Sequence, residues 1–239
     1  MTGLYDIHCH LLPGVDDGAE TEKESEGMLA MEYNQGVRHI FLTPHYRRGM
    51  FETKQEKLDV LIQQICEMAH RIGPDLTVYP GCEFYADDRL LDTLEEHRKF
   101  FLGGSDHALI EFGAGTSQVE LRETLCGVLS YGWTPVLAHA ERYDCVTKDF
   151  TFLEELSDLG VLISVNAGSV LGQNGISAKK FCRSLIKYDL LDLIGSDAHG
   201  LRRRKHDLGA CAAYLTKKYG SNYMRRIMID HPQKIMEGR

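Results

Sequence analysis

Asp6-Ile7-His8-Cys9-His10-Leu11-Leu12-Pro13-Gly14-Val15-Asp16-Asp17-Gly18 gathers two imidazoles and three carboxylates into one short stretch near the start of the chain. The residues leading into it, Leu4-Tyr5-Asp6-Ile7, read as a strand. Side chains alternate along a strand with period 2, so His8 and His10 share a side. An i, i+2 His pair at a strand end can grip one metal ion. The fold of the remaining chain decides which other side chains join that pair.

Strand and helix alternate seven times. The predicted strands run into polar residues: 39–43 into Pro44-His45, 76–80 into Gly81-Cys82-Glu83, 107–110 into Glu111, 134–138 into His139, 161–165 into Asn166, and 191–195 into Ser196-Asp197-Ala198-His199. Helices are expected over 20–34, 54–71, 88–97, 119–131, 150–159, 177–188, 204–219 and 222–228, with a last turn after Pro232. In 54–71, Leu58, Leu61, Ile62, Ile65 and Met68 recur at steps of three and four, and Gly73-Pro74 stops the helix. Such alternation argues for parallel strands with helical crossovers. No composition shift, repeat or low-complexity linker divides the chain, so one α/β domain over residues 1–239 is expected. A closed (β/α) barrel fits better than an open sheet. The strands ending in His, Asp or Glu are spread along the chain, and barrel sites collect residues from many strand ends at one rim. An open sheet collects them mainly at one crevice.

Composition narrows the function. The chain has 239 residues, 43% of them hydrophobic, and a net charge of −8 from 27 basic and 35 acidic residues. That balance argues against nucleic acid or an anionic membrane as the main partner. No apolar run is long enough to span a bilayer, and no signal peptide is evident, so no direct membrane insertion is expected. The 7 cysteines are scattered with no Cys-x-x-Cys pair, which suits a reducing, cytoplasmic setting. None has Arg six positions on, which excludes the thiolate-phosphatase pattern, and neither a Gly-x-Ser-x-Gly elbow nor a Walker loop is present. Cys9 and Cys82, beside candidate ligands, are expected to point away and pack as small apolar groups.

The candidate metal ligands are His8, His10, Asp17, His45, Glu83, Glu111, His139, Asp197 and His199. Nine N and O donors suit two or three divalent ions. Imidazole with carboxylate fits manganese, iron or zinc, and the carboxylate share leans towards manganese. Clustered ions acidify water and stabilise the entering and leaving oxygens of an in-line displacement at phosphorus. Phosphate also calls for guanidinium. Arg142, three residues past His139, is well placed; Arg202, Arg203, Arg204 and Lys205 follow His199, and one of them could reach the pocket. Arg47 and Arg48 lie nearer the surface.

As a set, His8-Cys9-His10, Thr43-Pro44-His45, Gly81-Cys82-Glu83, Ile110-Glu111-Phe112, Leu137-Ala138-His139-Ala140-Glu141-Arg142 and Gly195-Ser196-Asp197-Ala198-His199 resemble the polymerase and histidinol phosphatase (PHP) superfamily. The stretch from Asp6 to Gly18, with Glu141-Arg142-Tyr143 and Val165-Asn166-Ala167-Gly168-Ser169, resembles the bacterial CpsB/CapC-type tyrosine phosphatases within it. The resemblance covers essentially the whole chain. It implies a distorted (β/α)7 TIM-like barrel and a trinuclear, usually manganese, centre. It implies hydrolysis of phosphotyrosine by a metal-activated hydroxide, on the C-terminal tail of a bacterial tyrosine kinase that controls capsule or exopolysaccharide assembly. By the match, His8, His10, Glu83 and Asp197 would hold one ion. Glu83 would bridge to a second, held also by Glu111 and His139, and Asp17, His45 and His199 would hold a third. Arg142 and Arg204 would hold the phosphate. Asp16 could replace Asp17, and Arg203 could replace Arg204, because adjacent identical residues leave the register open.

The nearest rival is a small-molecule phosphomonoesterase of the same superfamily, histidinol-phosphatase-like, distinguished by a closed pocket where a kinase tail needs an open groove. A metal-dependent amidohydrolase would add a bridging modified lysine, and no lysine stands beside Glu83 or Glu111. A binding module on a degenerate barrel would have lost ligands, and all nine positions are filled.

Overall fold

The computed structural model describes residues 3–237. Residues 1, 2, 238 and 239, the ends of the single domain expected from the sequence, lie outside the described residues. The strands are β1 (Leu4–Cys9), β2 (Val37–Leu42), β3 (His45–Tyr46), β4 (Thr77–Pro80), β5 (Glu83–Tyr85), β6 (His107–Glu111), β7 (Thr134–Leu137), β8 (Leu162–Asn166) and β9 (Leu193–Gly195). The helices are α1 (Glu22–Asn34), α2 (Gln55–Ile72), α3 (Leu90–Glu96), α4 (Gln118–Ser130), α5 (Asp144–Thr147), α6 (Phe150–Asp158), α7 (Ala167–Leu171), α8 (Ile176–Tyr188), α9 (Leu208–Tyr219), α10 (Ser221–Arg225) and α11 (His231–Glu237).

All strand pairs are parallel, in the orders β1-β2-β4 and β3-β5-β6-β7-β8-β9. β2 and β3 are two halves of one barrel strand, broken at Thr43-Pro44. Pro44 has no N–H for the ladder, and its carbonyl accepts the Glu83 N–H at 3.0 Å. β4 and β5 are likewise halves of one strand, broken at Gly81-Cys82. Seven curled strands result, as the alternation predicts. The ring closes at its C-terminal end. There the Asp197 N–H donates to the His8 carbonyl at 2.7 Å and the His10 N–H to the Ala198 carbonyl at 2.9 Å. At the opposite end Ile229 and Ile235 join Tyr5, Ile7, Phe41, Leu109, Val136 and Leu193 in the inner cluster, so the lumen is packed.

The β1–β2 register slips between Asp6 and Cys9. A slip of this kind re-aims the side chains that follow it. Tyr5 and Ile7 therefore belong to the inner cluster while Cys9 belongs to the outer one, between barrel and helices. His8 and His10 are thereby free to point into the mouth of the barrel. Cys9 and Cys82 turn outward as expected, with their thiols donating to the Phe41 and Pro44 carbonyls.

Helix signals act locally. The Thr21 hydroxyl caps α1 by accepting the Glu24 N–H, and Ser117 caps α4 the same way through the Glu120 N–H. The expected helix from 204 starts later, at Leu208. Arg204 takes a left-handed backbone (φ 44°), and its carbonyl accepts the His199 N–H at 2.9 Å, which makes 199–204 a turn. The expected helix 222–228 is continuous with α11 through a π turn, Arg226–Asp230, placed just before Pro232.

Gly195 sits where β9 crosses β1: an added Cβ would lie 2.5 Å from the His8 Cβ. Gly195→Ala should cost about 1–3 kcal/mol of stability by overpacking. Urea unfolding at fixed metal content measures it, and an unchanged midpoint would contradict this close approach.

Candidate metal centre

The nine candidate ligands converge on the mouth of the barrel. His8 Nε2 lies 3.1 Å from Glu83 Oε2, 3.2 Å from His10 Nε2 and 3.7 Å from Asp197 Oδ1. His10 Nε2 lies 3.4 Å from Glu83 Oε2 and 3.6 Å from Asp197 Oδ1. Donors about 2.0–2.2 Å from one tetrahedral ion sit roughly 3.3–3.6 Å apart, so these spacings match a shared ion. On one side, His139 Nε2 lies 2.8 Å from Glu83 Oε1 and 3.5 Å from Glu111 Oε1. On the other, Asp17 Oδ1 lies 3.4 Å from both His45 Nε2 and His199 Nε2. Glu83 is central, since its Oε2 also lies 3.0 Å from His45 Nδ1.

The choice between the two aspartates has a geometric answer. Asp16 turns behind the site: its carboxylate accepts from His10 Nδ1 at 2.7 Å, the His45 N–H at 2.9 Å and the Gly18 N–H at 2.9 Å. Asp17 faces His45 and His199 and is half exposed. Gly18 lets this loop lie on His10, because a Cβ there would meet the His10 carbonyl at 2.3 Å.

The imidazoles are aimed through their other nitrogen. His10 Nδ1 donates to Asp16, and His199 Nδ1 donates to the Asp197 carbonyl at 3.0 Å. His139 Nδ1 meets the Tyr143 hydroxyl at 3.2 Å, and that oxygen accepts the Phe112 N–H at 3.1 Å. Partners of this kind fix which nitrogen is left for a metal. Glu83 Oε2 and His199 Nε2 are buried with no hydrogen-bond partner. Two lone-pair atoms left open at the crossing of the donor groups suit a cation, and the residues present therefore fit divalent metal ions.

Electrostatics agree. Burial alone would raise the Glu83 carboxyl, but His8 and His45 outweigh it and hold it well below the ordinary range. Asp197 behaves the same way, burial being overcome by His8, His10 and Arg142. Burial would lower His139, yet Glu111 and Glu83 push it up to about 9. These carboxylates therefore pull positive charge towards the centre, which a metal satisfies better than protons. His199 is the exception: burial, with His10 close by, lowers it to about 2. It stays neutral, as a ligand must.

Arg142 and Arg204 both reach Asp197. Arg142 Nη2 donates to Oδ2, and Arg204 Nη2 donates to Oδ1 at 2.6 Å. Each arginine side chain is 39% exposed on the cleft side of Asp197. Both line a cleft of about 500 Å³ with Asn166, Gln173 and Asn174, and a second cleft of about 600 Å³ meets it at Arg202 and Arg204. Arg203 and Lys205 are exposed. Arg48 is paired with Asp87 and Asp88, and Arg47 lies over the Tyr85 ring at 4.0 Å. His139 (φ 34°), Asp197 (φ 53°) and Arg204 (φ 44°) all hold left-handed backbones, a strain that tends to gather at functional sites.

Several contributing residues escape sequence reasoning. Asn166 Nδ2 donates to Asp197 Oδ2 at 2.7 Å, and the Asn166 N–H is held by Glu141 Oε1 at 3.0 Å. Its signal is its place at the sixth strand end, within the motif Val165-Asn166-Ala167-Gly168-Ser169. Tyr143 and Asp6 lie within the quoted motifs, but their partners, the Phe112 N–H for Tyr143 and Ser196 for Asp6, are distant in sequence. Asp16→Asn should weaken Mn²⁺ binding about 10–100-fold, because an amide NH2 cannot accept the three donors that Asp16 now accepts. Equilibrium dialysis measures this, and wild-type affinity in the variant would refute the supporting role.

Comparison with known proteins comes to the same place. The family described as "Capsular polysaccharide synthesis, CpsB/CapC" matches residues 4–237. The tyrosine-protein phosphatase CpsB of Streptococcus pneumoniae is 36% identical over 238 residues, 98% of each chain. The tyrosine-protein phosphatase YwqE of Bacillus subtilis is 28% identical over 218 residues, 91% of this chain and 86% of its own. A solved structure from work on YwqE of B. subtilis and CpsB of S. pneumoniae, described there as unique metal-dependent tyrosine phosphatases, superposes with a TM-score of 0.89 at 25% identity, over 99% of this chain and 95% of that one. The phosphotriesterase homology protein of Escherichia coli, at 13% identity and a TM-score of 0.61, shares the fold; the match covers 98% of each chain.

Proposed function

The chain belongs to the CpsB/CapC family, and from that premise we propose how its site works as a metal-dependent protein-tyrosine phosphatase. His8, His10, Glu83 and Asp197 hold one ion. Glu83, Glu111 and His139 hold a second, and Asp17, His45 and His199 a third; the carboxylate share of the set favours manganese. When bound, such ions supply Lewis acidity that generates a nucleophile from water and balances charge on the phosphoryl group. The observation that carries the reading is convergence: donors from strand ends far apart in sequence share one centre, with two arginines at its open edge.

The protein's own groups do the rest. Arg142 and Arg204 bind the phosphoryl oxygens from the cleft side, and Asp197 keeps both guanidinia turned to the centre. Asn166, held by Glu141, keeps Asp197 from swinging out. A phenolate leaving group, with a pKa of about 10, needs little protonation. The two clefts meeting at Arg204 support an extended peptide over an enclosed small molecule. The substrate favoured is the phosphotyrosine-bearing tail of a bacterial tyrosine kinase; the family description supports the setting in capsule assembly. That substrate places the protein in the cytoplasm. No helix of the described residues is long and apolar enough to cross a membrane.

Side-by-side turnover of a phosphotyrosyl peptide and histidinol phosphate, with Mn²⁺, tests the reading, and the peptide should be preferred. Exhaustive chelation should abolish activity. His139→Ala or Glu111→Ala should each lose at least about a hundredfold while circular dichroism stays unchanged. Near-normal turnover in either variant would overturn the ligand assignment.

A further inference from the structure

Away from the cleft, a second group of ionisable side chains is sealed beneath the site. Asp6, Glu32 and His206 come from β1, α1 and the segment before α9, and all three are buried. His206 Nδ1 lies in ion-pair contact with Glu32 Oε1 and 3.9 Å from Asp6 Oδ2, with no hydrogen bond to either. Asp6 in turn accepts three donors: Oδ1 takes the His8 N–H at 3.1 Å and the Ser196 N–H at 2.9 Å, and Oδ2 takes the Ser196 hydroxyl at 2.5 Å. The Ser196 Oγ then accepts the Ala198 N–H at 3.1 Å. One carboxylate thus fastens the backbone of both strands just before they deliver His8, His10, Asp197 and His199.

We propose that the chain Glu32–His206–Asp6–Ser196 is a positioning relay for the metal centre: His206, backed by Glu32, holds the Asp6 carboxylate where it locks the ends of β1 and β9 in register. This rests on the metal-centre reading above. Burial pushes the Glu32 carboxyl up to about 8, so the charged pair at neutral pH is His206 with Asp6; a buried ion pair contributes little stability compared with apolar residues of the same volume, so stability alone does not account for it. Its geometry points one way, towards the strand ends that carry four candidate ligands. Burial would lower His206, but Glu32 and Asp6 push it up to about 10, so it keeps the charge that faces Asp6. The backbone around His206 is anchored separately. Gln35 Nε2 donates to the His206 carbonyl at 2.8 Å, and Gln35 Oε1 accepts the Gly209 N–H at 3.0 Å. Changing the His206 side chain therefore leaves its segment in place.

The test is Mn²⁺ binding by equilibrium dialysis, with thermal unfolding of the metal-free protein alongside. The double variant Glu32→Leu/His206→Leu leaves the buried Asp6 carboxylate without its facing cation, so it should unfold at a lower temperature than the unsubstituted protein and bind Mn²⁺ at least tenfold more weakly. His206→Asn, whose amide nitrogen stands where Nδ1 does, should recover binding to within about threefold. A folded double variant with unchanged Mn²⁺ affinity overturns the proposal. Should the double variant not fold, Ser196→Ala decides: severalfold weaker binding supports the relay, and unchanged binding overturns it. The unsubstituted protein in the same dialysis tests the metal-centre reading on its own, since failure to take up Mn²⁺ there would remove that reading.

Discussion

The meeting of the first and last barrel strands governs the rest of the molecule. Elsewhere neighbouring strands pair in parallel ladders, but β1 and β9 meet at their tips, through His8, His10, Asp197 and Ala198. The residues that close the ring are the residues that carry the donors, or their neighbours. Fold and site are therefore held by one set of contacts. The absence of a Cβ at Gly195 permits the approach, and the register slip in β1 turns both histidines towards the mouth.

Charge is the second organising constraint. Ionised carboxylates are costly to bury unless compensated, and Glu83 and Asp197 are both buried. Histidines and two arginines compensate them, and the balance still favours more positive charge, as the upward push on His139 shows. Behind the donors stands a layer of fixed partners: Asp16 on His10, Tyr143 on His139, the Asp197 carbonyl on His199. That layer converts loose imidazoles into aimed ones.

The barrel was legible because hydrophobic strands each ended in a chemical residue, a pattern carried by local sequence. Boundaries moved by a few residues except at 204, where Arg204 is committed to Asp197 and to a turn, a tertiary commitment that helical periodicity does not encode. The supporting partners were less legible for the same reason. Asp6 belongs to the opening motif, yet its partner Ser196 lies 190 positions away. Side-chain alternation placed His8 and His10 together correctly, but did not anticipate the slip that separates Cys9 from Ile7. Adjacent Asp16 and Asp17 are equivalent in sequence and opposite in role because the loop turns between them.

The tip-to-tip closure also bears on how the chain reaches its fold. Contacts between neighbouring strands span a single crossover, as from β1 to β2 through α1, whereas the β1–β9 contacts enclose almost the whole polypeptide. Loop-closure entropy grows slowly with length, about 0.6 kcal/mol per doubling, but distant pairings form late because local ones must first bring them near. The curled sheet can therefore assemble strand by strand, with its two ends joining as the final step. Until the two ends join, the donors carried by β1 and β9 do not stand together at the mouth of the barrel.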